Sequence, residues 1–362
     1  MFRIDYSNPI IENDMKELHG SLPESKDLFG KSVYVSGANG MIASYIVGYL
    51  AWLNERFNAG ISIYAGIRNT DKGVKRFGNL LDKDYMHVIS QDVLTPLSDD
   101  LDIDYIIHAA SLASPQYYGT NPVETMLPNF VGTNNLLDYS RRHDVKGFLF
   151  LSSGAVYGIV VGNDEMFEES QGVLDFLDLG NAYAESKRSG EALCVAYNKE
   201  YGVRTLISRV HHTYGPTVDI ENDSRVYSEF IRNIIDRKDI ELKSSGEALR
   251  AFCYITDTVS GLLKTLLCGE GGKAYKLGNP YEYISIYDLA CKLTHQFSDR
   301  NIKVVCKARE DAGYRSCAAP FNAPVNIDKL VSLGWKPQVS LSDGFARTVS
   351  AIDFYEGCYE KD

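Results

Sequence analysis

Short apolar runs at residues 32–35, 61–67, 85–89, 105–109, 148–152 and 204–208 read as buried strands, since each is near-continuous rather than alternating in polarity. Helical patterns lie between them. Residues 122–142 set Val123, Met126, Leu127, Phe130, Asn134, Leu136 and Leu137 on or near one face, and residues 182–201 do the same with Ala192, Leu193, Ala196 and Tyr197 before Gly202 stops the helix. Strands joined by helix-length crossovers predict a doubly wound α/β domain with a parallel sheet covered on both faces. Residues 1–29 read as a polar extension carrying one short helix. Past about residue 209 the rhythm weakens, and Gly215-Pro216, Gly271-Gly272 and Asn279-Pro280 punctuate what reads as a second, smaller lobe.

Composition narrows the function. The 362 residues, 44% hydrophobic and 11% aromatic, suffice for a sizeable core and exclude a small disulfide scaffold. With 37 basic against 48 acidic residues the net charge is −11, and no Lys/Arg-dense face is visible, so neither nucleic acid nor a membrane surface is an expected partner. Seven cysteines without a C-x-x-C pair and seven histidines without H-E-x-x-H predict no metal centre and a reducing, cytoplasmic setting. The start, MFRIDYSNPIIENDMKEL, has no apolar core of a signal peptide, and no run of about 18 apolar residues marks a transmembrane helix.

The segment SGANGMIA places Gly37, Gly40 and Ala43 at three-residue spacing, directly after a strand and at the opening of a helix. Glycine turns tightly with positive φ and lets backbone N–H groups approach a pyrophosphate, and the helix N-terminus favours the negative charge. Gly37, Asn39, Gly40, Met41 and Ile42 are therefore candidate contacts to a dinucleotide. An ordinary strand-to-helix turn has the same look, and the later segments decide between the two. Asp92-Val93 follow the third strand, where a carboxylate and a backbone N–H can hold an adenine edge. Ala109, Ala110 and Ser111 end the fourth with small side chains beside which a flat cofactor can lie. Ser152-Ser153 end the fifth, and Tyr183 and Lys187 share one face of the following helix at i, i+4 spacing. A tyrosine of pKa about 10 is no base at neutral pH. A lysine ammonium one turn away, with an oxidised nicotinamide, favours the phenolate and makes the pair an acid/base.

Taken in order, G-x-x-G-x-x-A, H-A-A-S, S-S-x-x-V-Y-G, Y-x-x-x-K, SRVHHTYGP, RAFCYITD, YKLGNP and LGWKP resemble the segments of extended short-chain dehydrogenases/reductases. The resemblance is to the NAD-dependent epimerase/dehydratase family acting on nucleotide sugars, over about residues 31–351. It implies a doubly wound parallel-sheet Rossmann domain, 30–210 with about 252–280, and a smaller mixed C-terminal lobe, 211–251 and 281–362, that binds a nucleotide-diphosphate sugar. It also implies that Ser153 binds the reacting hydroxyl, Tyr183 exchanges its proton, and Lys187 holds the nicotinamide ribose and lowers the tyrosine pKa. Ser111 would meet both cofactor and substrate. His212 stands where relatives commonly carry a substrate-contacting asparagine. Arg225, Arg250 and Arg315 are candidates for the pyrophosphate, whose oxygens suit the guanidinium fork. A homodimer through the helices of 122–142 and 182–201 is usual for such proteins and is expected here.

Two departures from the pattern bear on the chemistry. Relatives that bind NAD often close the second strand with an acid that accepts the ribose hydroxyls; here Arg68-Asn69 stand there. Arg68, helped by Lys72 or Arg76, can hold the 2′-phosphate of NADP or can stack on adenine, and a cofactor recycled within the site makes NAD the expected one. Second, the resembling 4,6-dehydratases carry an acid pair after the catalytic serine, and the decarboxylases a glutamate at the second position. Here Gly154 and Ala155 stand there, and neither transfers a proton. The expected reaction is 4-epimerisation by transient oxidation at C4 and hydride return. Glu185, His211, His212 and the acidic GNDEMFEES loop keep 4,6-dehydration or UDP-glucuronate decarboxylation open, Arg68 keeps an NADPH-dependent keto-sugar reductase open, and a dinucleotide-sensing scaffold is the non-enzymatic alternative.

Overall fold

Seven parallel strands form one central sheet. They are β1 (Ser32–Ser36), β2 (Ser62–Ile67), β3 (Met86–Ser90), β4 (Tyr105–His108), β5 (Gly147–Ser153), β6 (Thr205–Val210) and a seventh, Lys273–Leu277, beyond β6. From one edge the order is the seventh strand, β6, β5, β4, β1, β2, β3, so the chain reverses its direction of winding between β1 and β4. Ligand clefts of doubly wound sheets open at that switch point, beyond the carboxyl ends of the strands. The computed structural model describes residues 2–158, 174–175, 177–307 and 325–359. Six strands fall within two residues of the apolar runs that predict them. The seventh was not expected as a strand, because Lys273 and Lys276 interrupt its apolar run, although Lys276 is fully buried.

The helix α2 (Met41–Phe57) is buried without a break from Ala43 to Leu53, which requires cover on both sides. The sheet covers one side. Residues 2–29 cover much of the other, and here the expected polar extension is instead part of the core: Phe2, Ile4, Ile11, Met15, Leu18, Leu22 and Leu28 are all buried. Asn8 caps α1 (Pro9–Ser21), accepting from the Ile10 N–H. From α1, Glu12 accepts from the Trp52 indole at 3.0 Å.

The expected helix over 122–142 is three pieces, α4 (Pro122–Leu127), a π-helical turn (Pro128–Gly132) and α5 (Thr133–Arg142). Pro128 has no N–H to continue the ladder. Val123, Met126 and Phe130 lie exposed, whereas Thr125, Asn129 and Thr133 are buried. These small polar residues allow close packing on α6 (Ala182–Tyr201), where Asn129 donates to Ser186 Oγ at 3.0 Å. A methyl on Gly190 would stand 2.7 Å from the Asn129 carbonyl. On α6 the buried face is Tyr183, Ser186, Lys187, Gly190, Glu191 and Cys194 rather than the face of Ala192 and Ala196, which are exposed.

Beyond β6 the chain forms short two-stranded pairs and the helices α7 (Val226–Ile235), α8 (Ile255–Cys268), α9 (Ile286–Gln296), α10 (Asp328–Ser332) and α11 (Leu341–Tyr359). Asp257 on α8 accepts from the Gln338 and Val339 N–H groups at 2.9 and 3.0 Å, and Trp335 donates to Ser260 at 2.9 Å, so the segments YITD and LGWKP meet in one structural contact. No described helix is long and apolar enough to cross a membrane.

Candidate active site

At the switch point, Gly37 has φ +63°, and a methyl built on it would stand 2.8 Å from the Ala110 Cα. Only glycine fits that close approach of the first loop to the end of β4. Gly40 forms the N-terminus of α2 without a side-chain cap, which leaves the first N–H groups of the helix facing an anion site. Asn39, Met41 and Ile42 are partly buried around it. Ser36 Oγ accepts from the Ala109 and Ala110 N–H groups at 3.0 and 3.1 Å and lies 2.7 Å from His108 Nδ1, while His108 Nε2 lies 3.1 Å from the Pro128 carbonyl. Burial, and then the charge of Lys187, pushes the His108 pKa down to about 3. The neutral ring therefore donates from Nε2 to the carbonyl and accepts the Ser36 hydroxyl at Nδ1. Sequence reading gave Ser36 and His108 no role, although H-A-A-S contained the signal.

At the adenine end, Arg68 and Lys72 are exposed and Asn69 caps α3 (Thr70–Phe77) by accepting from the Lys72 N–H at 3.0 Å. Arg76 does not join them. It is buried, donating to the Phe2 and Thr217 carbonyls at 2.7 and 2.9 Å, and so is unavailable to a phosphate. Asp92 accepts from the Leu94 N–H at 3.0 Å in a local turn, Val93 is buried, and its carbonyl accepts from Asn135 at 3.0 Å. The Ser111 Oγ is buried without a hydrogen-bond partner among the described residues.

At the other end, Ser153 ends β5 and acts on the side chain of Tyr183, while its Oγ accepts from the Ala155 N–H at 3.2 Å. The Tyr183 pKa is raised by burial, against which Ser153 and then Arg225 work. Tyr118 stacks on Tyr183 with ring centres 4.9 Å apart and planes 5° apart, a contact that no sequence motif announced. Lys187 donates to the Leu151 carbonyl at 2.6 Å and lies 5.7 Å from the centre of the Tyr183 ring. Burial pushes its pKa down to about 7, partly opposed by Glu191. Glu191 accepts from Ser152 at 2.5 Å and is paired with Arg209, which holds the floor of the site.

The segments beyond β6 bring His211, Arg225 and Arg250 into electrostatic reach of His212. His212 is exposed, with the Phe252 ring centre 5.9 Å away; reduced hydration and then the charges of Arg250, His211 and Arg225 hold its pKa well below the ordinary value. Arg225 is paired with Asp223, and Arg250 donates to the Leu249 carbonyl at 2.7 Å, leaving most of its fork uncommitted to that bond. Glu185 is partly buried and paired with Arg188 at 3.4 Å. Arg315 and the GNDEMFEES loop lie outside the described residues. Among the described residues no cluster of three His, Cys, Asp or Glu forms a metal site.

The fold is that of a Rossmann-type dinucleotide enzyme, and the glycine loop, the uncapped helix and the Ser111 hydroxyl fit a dinucleotide that they would hold. The chain belongs to the NAD-dependent epimerase/dehydratase family, whose profile matches residues 33–278. It is an enzyme of sugar-nucleotide chemistry, and its cofactor is NAD. It is 30% identical to UDP-glucuronic acid decarboxylase 1 of Xenopus tropicalis over 88% of this chain and 71% of that one. Its fold matches an epimerase of Methanothermobacter thermautotrophicus with a TM-score of 0.78 at 21% identity, covering 94% of this chain and 97% of the other. A UDP-glucuronic acid 4-epimerase of Bacillus cereus, solved with NAD, matches with a TM-score of 0.72 at 24% identity over 91% and 98% of the two chains.

Proposed function

We propose that the enzyme is a nucleotide-sugar 4-epimerase. The observation that carries this reading is the pair after Ser153: Gly154 and Ala155 have no proton to give, and the space beside Gly154 is filled by His211, whose pKa burial pushes down to about 3. A group so weakly basic holds no proton at neutral pH and cannot act as the acid that dehydration needs. Epimerisation needs none beyond Tyr183. Ser153 and Tyr183 hold the 4-hydroxyl, Tyr183 takes its proton, and Lys187 supplies the positive charge that makes the phenolate accessible. NAD supplies the acceptor and donor of hydride. Tyr118, stacked on Tyr183, fixes the plane of the phenol, and Arg225 and Arg250 face the cleft where the diphosphate would lie. Decarboxylation of a nucleotide uronic acid is the second reading, favoured by the 30% identity to a UDP-glucuronic acid decarboxylase.

One experiment separates the two. The purified protein is incubated with UDP-glucose, UDP-glucuronic acid and dTDP-glucose in deuterated water and followed by NMR. Epimerisation gives the 4-epimer without deuterium at C5; dehydration places deuterium in the product, and decarboxylation yields a pentose with carbon dioxide. Tyr183→Phe should lower turnover about 1,000-fold or more while NAD stays bound; substantial residual turnover would remove Tyr183 from its role. The outward apolar residues Val123, Met126, Phe130 and Val195 support a homodimer, and a single-chain mass by light scattering at micromolar concentration would count against it.

A further inference from the structure

We propose that His211 is a specificity-determining residue that contacts the exocyclic C6 oxygen of the sugar. The proposal rests on the nucleotide-sugar reading above. In the β5–β6 ladder Ser153 is paired with Val210, so Ser153 and His211 leave the sheet side by side at its carboxyl edge. A methyl built on Gly154 would stand 2.4 Å from His211 Cε1, 2.6 Å from Nδ1 and 2.9 Å from Nε2. The imidazole thus occupies the volume that a side chain on residue 154 would fill, next to the serine that meets the reacting hydroxyl. Its backbone is fixed, the N–H donating to the Leu277 carbonyl at 2.8 Å and the carbonyl accepting from Thr213 at 3.2 Å. A methyl built on Gly278 would stand 3.1 Å from its Cβ.

The ring is 7% exposed, and its Nε2 is buried without a hydrogen-bond partner among the described residues. Buried ring nitrogens are ordinarily paired, because an unpaired one forfeits its hydration for nothing. Nothing among the described residues uses this one, and it lies against Gly154, the residue after Ser153. Burial, and then the charges of Lys276 of the seventh strand and Arg209 of β6, keep the imidazole neutral, so it presents one donor and one acceptor; His212 and Tyr157, whose ring centre lies 6.5 Å away, are its other titratable neighbours. A nitrogen at that depth is reached by an oxygen on a rotatable exocyclic arm, a C6 hydroxyl or carboxylate, better than by a ring hydroxyl fixed in place.

The test is calorimetric titration of the NAD-loaded protein with UDP-glucose, UDP-glucuronic acid and UDP-xylose, which lacks C6. His211→Phe keeps a ring and removes both nitrogens. It should weaken the better-bound of the two C6-bearing ligands about 10-fold or more and leave UDP-xylose within about 2-fold, with partial recovery in His211→Gln. Gly154→Ala, which pushes the ring aside, should produce the same selective loss and keeps the test open if His211→Phe does not fold. Equal weakening of all three ligands, or of none, overturns the proposal and leaves His211 a packing residue. Failure of the wild-type protein to bind any of the three overturns the reading on which it rests.

Discussion

Lys187 has an unusual titration that folding itself must reveal. The side chain is 3% exposed, donates to one carbonyl, and titrates at about 7 instead of 10.5. The unfolded chain therefore binds a proton that the folded protein does not hold between pH 7 and 10.5, so unfolding free energy rises with pH across that window. Below pH 7 both states are protonated and the full cost of burying the charge is present. Displacement from 10.5 to about 7 corresponds to a cost of about 4 kcal/mol at pH 7, falling to about 2 kcal/mol at pH 9. Lys187→Met removes the titration. The stability difference between wild type and Lys187→Met, from urea unfolding followed by tryptophan fluorescence on cofactor-free protein, should move by about 2 kcal/mol in favour of the wild type between pH 7 and pH 9. Other groups titrate in both proteins and cancel. A difference that stays constant within about 0.5 kcal/mol would mean that Lys187 keeps its charge in the folded protein, and would refute burial as the force that lowers its pKa.

Two further outcomes follow from the same physics. Asp14, on α1, accepts from Tyr45, from Tyr254 at 2.7 Å and from Arg347 at 3.1 Å, and burial raises its pKa to about 6. The folded state then holds a proton that the unfolded state has lost between pH 4 and 6, so stability falls as pH rises through that window; Asp14→Asn should lack the fall, and Asp14→Ala, which strands two tyrosine hydroxyls, should cost about 3 kcal/mol at pH 7 by thermal and urea unfolding. Gly37→Ala combines φ +63° with a contact of 2.8 Å to the Ala110 Cα, and should cost about 2 kcal/mol and reduce the NAD recovered with the purified protein, measured by mass spectrometry of the released nucleotide.

Periodicity and spacing sufficed for the parallel sheet and for setting Tyr183 and Lys187 on one buried face of α6, because strand burial and the i, i+4 helical face are local properties of the chain. They failed where burial depends on what packs against a segment. Residues 2–29 look polar in composition, yet Ile11, Met15 and Leu18 at helical spacing are fully buried, and Glu12 and Asp14 of the same helix meet Trp52 and Tyr45 of α2. Arg76 looks like a phosphate ligand beside Arg68, yet folding turns it inward to two carbonyls remote in sequence. Gly154 reads as a missing acid; only the pairing of β5 with β6 reveals that an imidazole stands in its place. Read alone, the chain carries the family and the cofactor, since these rest on short motifs whose residues are close together. Which face of each helix is buried, which arginine is free and what fills the site beside Ser153 were decided by tertiary structure, because each is set by contacts between segments separated by tens to hundreds of residues.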